Sequence, residues 1–150
     1  KGWIEHNLPP HRRSPYVWRL LGDVEQGGGQ HDAARVAYEH ALRRDRGGRH
    51  LTLVRLGALQ LRLGALDDAE RSFEAACEFR RRTYQSDDGP ALRGLADVAT
   101  ARGDVATARE RTAEAARLER RPAHARPGLP AAAGGADDRG AAAHGRARTA

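Results

Sequence analysis

The chain of 150 residues has no methionine, one cysteine, one isoleucine and one lysine, and only 5% of its residues are aromatic. A lone thiol, Cys77, rules out an internal disulfide and a thiolate zinc cluster, and it fits a reducing cytoplasm, the expected location. No stretch approaches the roughly 18 consecutive apolar residues of a membrane span. The first turns of sequence hold Pro9, Pro10 and Pro15 and no apolar run, so no secretory signal is visible. Methionine is missing even from position 1, from which the chain is expected to be an excerpt or processed product of a longer protein. With isoleucine confined to Ile4, a core must be built mostly from Ala, Leu and Val, which suits closely packed helices better than β-branched strands. The expected class is all-α.

What is abundant is arginine. The chain has 26 basic residues and only Lys1 among them is a lysine, a bias expected of a GC-rich, bacterial genome more than of a function. The net charge of +6 raises the question of nucleic acid, so its distribution along the chain matters. Residues 15–118 are nearly neutral, and most of the excess falls on residues 1–14 and 119–150. Charge on the ends rather than on a folded face argues against nucleic acid as the main partner.

Three segments align with one another: Leu20–Leu42, Arg55–Cys77 and Gly94–Ala116. Each carries Leu at its second position (Leu21, Leu56, Leu95), Gly at its tenth (Gly29, Gly64, Gly103) and Ala at its fifteenth (Ala34, Ala69, Ala108). One unit reads as two helices with a glycine turn between them. Trp18, Leu21 and then Val24–Glu25 would turn inward, Gly29 would end the helix, and Asp32 would follow at the positive end of the next. Ala34, Tyr38 and Ala41 continue at i, i+4 and i+7, as do Ala69, Phe73 and Ala76. Helices are expected at about 15–27, 30–45, 50–63, 66–83, 90–102 and 105–120. Residues 1–14, with Trp3, Ile4 and Leu8, read as an element against the first helix pair. Residues 122–150, almost all Ala, Gly, Arg, Pro and Asp, are expected to be disordered.

The pattern resembles the tetratricopeptide repeat. Trp18, Leu21-Gly22, Ala34, Tyr38 and Ala41 match its large, Leu-Gly, Ala, aromatic and Ala places in the first unit, and Leu53, Leu56-Gly57, Ala69, Phe73 and Ala76 match in the second. The third unit departs, with Ala96 in place of Gly and Thr112 in place of the aromatic, and the usual helix-ending proline is absent. The resemblance implies an α-solenoid of about three antiparallel helical hairpins (15–49, 50–88 and 89–121) in a right-handed superhelix. It also implies a protein or peptide partner on the concave face, which would carry Tyr16, Arg19, Asp23 and Gln26, then Leu51, Val54, Ala58 and Leu61, then Arg93, Asp97 and Thr100. A second reading packs Leu51, Val54 and Leu61 between hairpins. Family members that clamp carboxylates use Lys and Asn at the places held here by Arg19 and Asp23, so that specificity is not carried over.

Arg19–Asp23 and Arg93–Asp97 are spaced as i, i+4 ion pairs, expected to be solvated. The runs Arg43-Arg44 with Arg46 and Arg49, and Arg80-Arg81-Arg82, are expected to end their helices, where cations suit the dipole. The seven histidines show no HExxH spacing, and Gly27-Gly28-Gly29 lacks the GK[ST] and the preceding strand of a phosphate loop, so neither a metal nor another cofactor is expected. Cys77, beside Ala75 and Ala76, reads as a small packing residue, and no nucleophile, base and oxyanion donors combine into a catalytic site. The expected role is a partner-binding scaffold, with self-association through an uncapped terminal repeat as a further expectation. Two alternatives stand beside it: a nucleic-acid-associated module using the arginine runs and basic tail, and an appendage of an enzyme encoded upstream.

Overall fold

The computed structural model describes residues 1–120, which fold into helices without a strand among the described residues. A short helix α1 (Gly2–Asn7) and a 3-10 turn (Pro10–Arg12) precede α2 (Pro15–Gly27), α3 (His31–Arg44), α4 (Arg49–Arg62), α5 (Leu66–Tyr84), α6 (Gly89–Ala101) and α7 (Val105–Arg120). The fold class is all-α. The tail expected to be disordered, residues 122–150, lies outside the described residues.

Local chemistry sets the helix ends. Ser14 accepts the N–H of Val17 at 3.3 Å, and Pro15 follows as the first residue of α2. Asp88 caps α6 in the same way, accepting from Ala91 at 3.1 Å. Gly29, Gly64 and Gly103 take φ of +76°, +76° and +80°, the left-handed region that costs glycine least. After each, the next residue bonds back across the helix end: Gln30 N–H to Glu25, Ala65 to Gln60 and Asp104 to Ala99, at 2.8, 2.9 and 2.9 Å. One turn geometry thus occurs three times. The alternate turns are built otherwise. Asp45 Oδ1 accepts the N–H groups of Gly47 and Gly48 at 3.1 and 2.6 Å, and Gln85 takes φ of 49° at the end of α5.

α2 packs most extensively on α3, α4 on α5 and α6 on α7; α3 abuts α4 and α5 abuts α6, while α4 also touches α2 and α6. Small residues make these approaches possible. A Cβ at Gly22 would overlap the Tyr38 ring, and one at Gly57 would lie 2.9 Å from Phe73. Gly94 meets the same edge atoms of the Phe73 ring, so one aromatic fills the space between three helices. Ala34 and Ala69 are fully buried. Ala108 is half-buried, because α7 is covered from one side only by the described residues.

The inward stripe of α2 ends at Leu21 rather than continuing to Val24. Val24 is 42% exposed, since six residues on from Trp18 is about 120° away around the helix. Glu25 faces α1 instead and pairs with Lys1 at 2.7 Å. Ile4 of α1 packs against Trp18, Leu21, Ala37 and Ala41, while its neighbour Trp3 stays 71% exposed.

Candidate functional site

α2 and α4 lie side by side, and a cleft of about 300 Å³ opens between them, lined by Asp23, Gln26, Gly27, Arg55, Ala58 and Arg62. Three of the residues assigned from sequence, Asp23, Gln26 and Ala58, therefore meet in one place. Asp23 is the hub. Its Oδ1 accepts from the Tyr38 hydroxyl at 2.8 Å, and its two oxygens accept Arg55 Nε–H at 3.0 and 3.1 Å. The Tyr38 hydroxyl also lies 3.0 Å from Gln26 Oε1. The hydroxyl proton is shared between Asp23 Oδ1, the nearer acceptor, and Gln26 Oε1. Burial, reinforced by the bond to Asp23, holds the Tyr38 phenol above its ordinary pKa and keeps it a neutral donor.

The expected i, i+4 ion pairs do not form. Arg19 turns away from Asp23 and pairs with Asp45 in the α3–α4 turn at 2.7 Å, with both side chains mostly buried. Asp45 already gathers two backbone N–H groups, so a carboxylate with its position fixed competes better for the guanidinium than one a helix turn away. Arg93 likewise pairs with Glu119 of α7 rather than with Asp97. Asp97 and Thr100 are exposed on α6, outside the cleft, and the Thr100 hydroxyl donates to Ala96 O at 2.9 Å.

Tyr16 and Leu51 are exposed by 66% and 43%. Val54, Ala58 and Leu61 are half-buried against the cluster around Phe73, Leu92 and Val98, so they pack between helices as well as edging the face. Arg55 and Arg62 are not singled out by the sequence reading. Their signal is there all the same: residues 51, 55, 58 and 62 step by four, three and four, the spacing of one helix face.

A second polar cluster ties the α3–α4 turn to the end of α5. His50 is buried, stacks on Phe79 at 5.9 Å and meets the edge of Tyr84 at 5.7 Å. Its Nε2 accepts from Arg80 Nη1 at 3.3 Å, which places the imidazole proton on Nδ1. Tyr84 donates to Gly47 O at 2.7 Å. Burial pulls the His50 pKa below its ordinary value; Asp88 and Asp45 oppose this, and Arg80 and Arg19 add to it. The buried Cys77 thiol is pushed up to about 11 by desolvation, which leaves it protonated at neutral pH. Among the described residues no group of three or more His, Cys, Asp or Glu is placed to hold a metal ion, and no helix is long and apolar enough to cross a membrane.

The arginine runs are placed differently from expectation in part. Arg43 and Arg44 end α3, and Arg81 and Arg82 lie in the last turn of α5. Arg46, however, lies in the turn, and Arg49 begins α4, where it donates to Leu42 O. Leu42 is in the last turn of α3, so this guanidinium closes the end of the preceding helix from the far side of the turn.

No family model matches the chain, and no curated protein matches it.

Proposed function

We propose that the chain is a tetratricopeptide-like scaffold, an α-solenoid of about three antiparallel hairpins in a right-handed superhelix, that holds a peptide or protein partner on the face formed by α2, α4 and α6. In this reading it is part of a larger, cytoplasmic, bacterial protein and has no catalytic step of its own. The thrice-repeated glycine turn and the glycine–aromatic contacts at Tyr38 and Phe73 support the repeat reading. The observation that carries the binding reading is the α2–α4 cleft, where Asp23, Gln26, Arg55 and Arg62 converge, with exposed Leu51 one helical turn before Arg55 on the same face of α4. An apolar anchor next to paired donors and acceptors suits an extended peptide, whose backbone and one side chain are satisfied together.

The test uses the full chain with Leu51→Glu and Arg62→Glu, both exposed positions; Val54 and Leu61 are left intact because they also support the core. Affinity capture from a lysate of the source organism is compared by quantitative mass spectrometry. Proteins held by the parent and reduced at least about tenfold by the double variant, with circular dichroism unchanged, are the expected outcome; about 1.4 kcal/mol of lost binding gives that factor. Capture that is equal for both would remove the cleft as the binding face.

A further inference from the structure

Counted along the chain, residues 15–118 are almost neutral, yet the fold gathers an excess of arginine at one end. Connections of three residues (28–30, 63–65, 102–104) or four (45–48, 85–88) span at most about 15 Å, whereas helices of 13 to 19 residues are about 20–28 Å long. Paired helices joined this tightly must run in opposite directions. The start of α2, the α3–α4 turn, the α5–α6 turn and the end of α7 therefore share one end of the molecule. Direct contacts join three of these: Arg44 Nη1 donates to His11 O at 3.2 Å, Tyr84 to Gly47 O, and Arg19 pairs with Asp45.

That end carries Arg12, Arg43, Arg44, Arg46, Arg49 and Arg81. Arg44 and Arg49 spend donors on backbone carbonyls rather than on carboxylates, so their charge is not cancelled by the bond they make. The acid of Arg81, Asp87, stands 3.6 Å away with both side chains exposed, a pair worth little in water. Asp45 is already matched by Arg19. At the opposite end Asp67 and Asp68 meet Arg102 and Arg71, beside Glu25, Asp32 and Asp104, so no comparable excess of arginine builds up there. Helix dipoles account for cations at the ends of α3 and α5 but not for Arg46 in the turn or Arg49 at the start of α4, where the dipole opposes it.

Flat aromatic side chains are exposed among these arginines. Tyr16, in the first turn of α2, is 66% exposed, and Tyr84, at the end of α5, is 48% exposed with Arg80 over its ring. Guanidinium forks bind phosphate oxygens in pairs, and exposed rings stack on unpaired bases. We propose that this arginine-rich end is a binding face for single-stranded nucleic acid, separate from the α2–α4 cleft.

The experiment is fluorescence anisotropy with the full chain and a fluorescein-labelled oligo-dT of about 20 nucleotides, from about 50 to 200 mM salt. An end variant (R12A, R43A, R46A, R81A) is compared with a tail variant of equal charge change (R126A, R139A, R146A, R148A). The expected result is micromolar binding by the parent at low salt and a loss of at least about tenfold in the end variant. The slope of log K against log salt should also become shallower by about 3, since each phosphate that is no longer neutralised removes roughly 0.7. The tail variant should lose less than about threefold. No binding by the parent, equal loss in both variants, or binding undisturbed by the end variant would each overturn the proposal. So would phosphatidylserine vesicles captured through this end while the oligonucleotide is ignored, a result that assigns the face to a membrane surface. If the end variant loses its helical circular dichroism, the single turn substitution Arg46→Glu decides: a loss of about threefold or more supports the face, and no loss rejects it.

Discussion

At the scale of single residues, the molecule depends on a few rings set against glycine. Phe73 is 2% exposed and touches both Gly57 and Gly94, so neither glycine can gain a methyl group without moving a buried ring. His50 shows the other kind of residue-scale constraint, a titratable ring held neutral. The folded pKa lies below the ordinary value of 6.5, with burial as the main cause. The unfolded chain therefore binds this proton first as pH falls, so stability is full above about pH 6.5 and is lost as pH drops below it. Thermal melts from pH 7.5 to 5.0 should show a steeper loss for the parent than for His50→Gln. Parallel curves would mean that His50 contributes nothing to the acid response. Cys77 belongs at the same scale: buried and protonated, it acts as a packing group, as its small neighbours in the sequence suggest.

At the scale of elements, the signals of helix start and stop are the most legible part of the sequence. Serine or aspartate before proline, and glycine at the tenth position of each unit, act through contacts only a few residues apart, so they survive without tertiary knowledge. Their energetic weight can be separated by position. Gly64 has φ of +76°, and Gly64→Ala should destabilise by about 1–2 kcal/mol. Gly27 is helical, with nothing within 4 Å of an added Cβ, and Gly27→Ala should stabilise by about 0.4–1 kcal/mol. Urea melts of the two variants check both signs, and matching signs would show that the turn geometry is wrongly assigned. Ion pairs are less legible at this scale. Spacing places Arg19 within reach of Asp23, but a turn from the next helix supplies Asp45 with its oxygens already fixed, and that partner lies 26 residues away. Half of the α2–α4 cleft is readable as well: Asp23, Gln26 and Ala58 follow from the resemblance, while the spacing of Arg55 and Arg62 puts them on one face of α4 without saying that α2 meets it there.

At the scale of the whole molecule, burial is uneven. α5 buries Ala69, Ser72, Phe73, Ala76 and Cys77, whereas α7 buries only Ala115. The last helix should therefore open before the centre, and native-state hydrogen exchange should find α7 amides exchanging well ahead of those of α4 and α5. Uniform protection across α4 to α7 would argue that something outside the described residues covers α7.

The helical class and the helix ends are legible in the chain alone, because they follow from local backbone preference and short-range periodicity. Which acid each arginine meets, which face residues share a cleft, and the gathering of unpaired arginines at one end emerge only when the helices pack. The physical reason is that reversing direction at every turn places residues far apart in sequence beside each other, and electrostatics depends on that distance rather than on order along the chain.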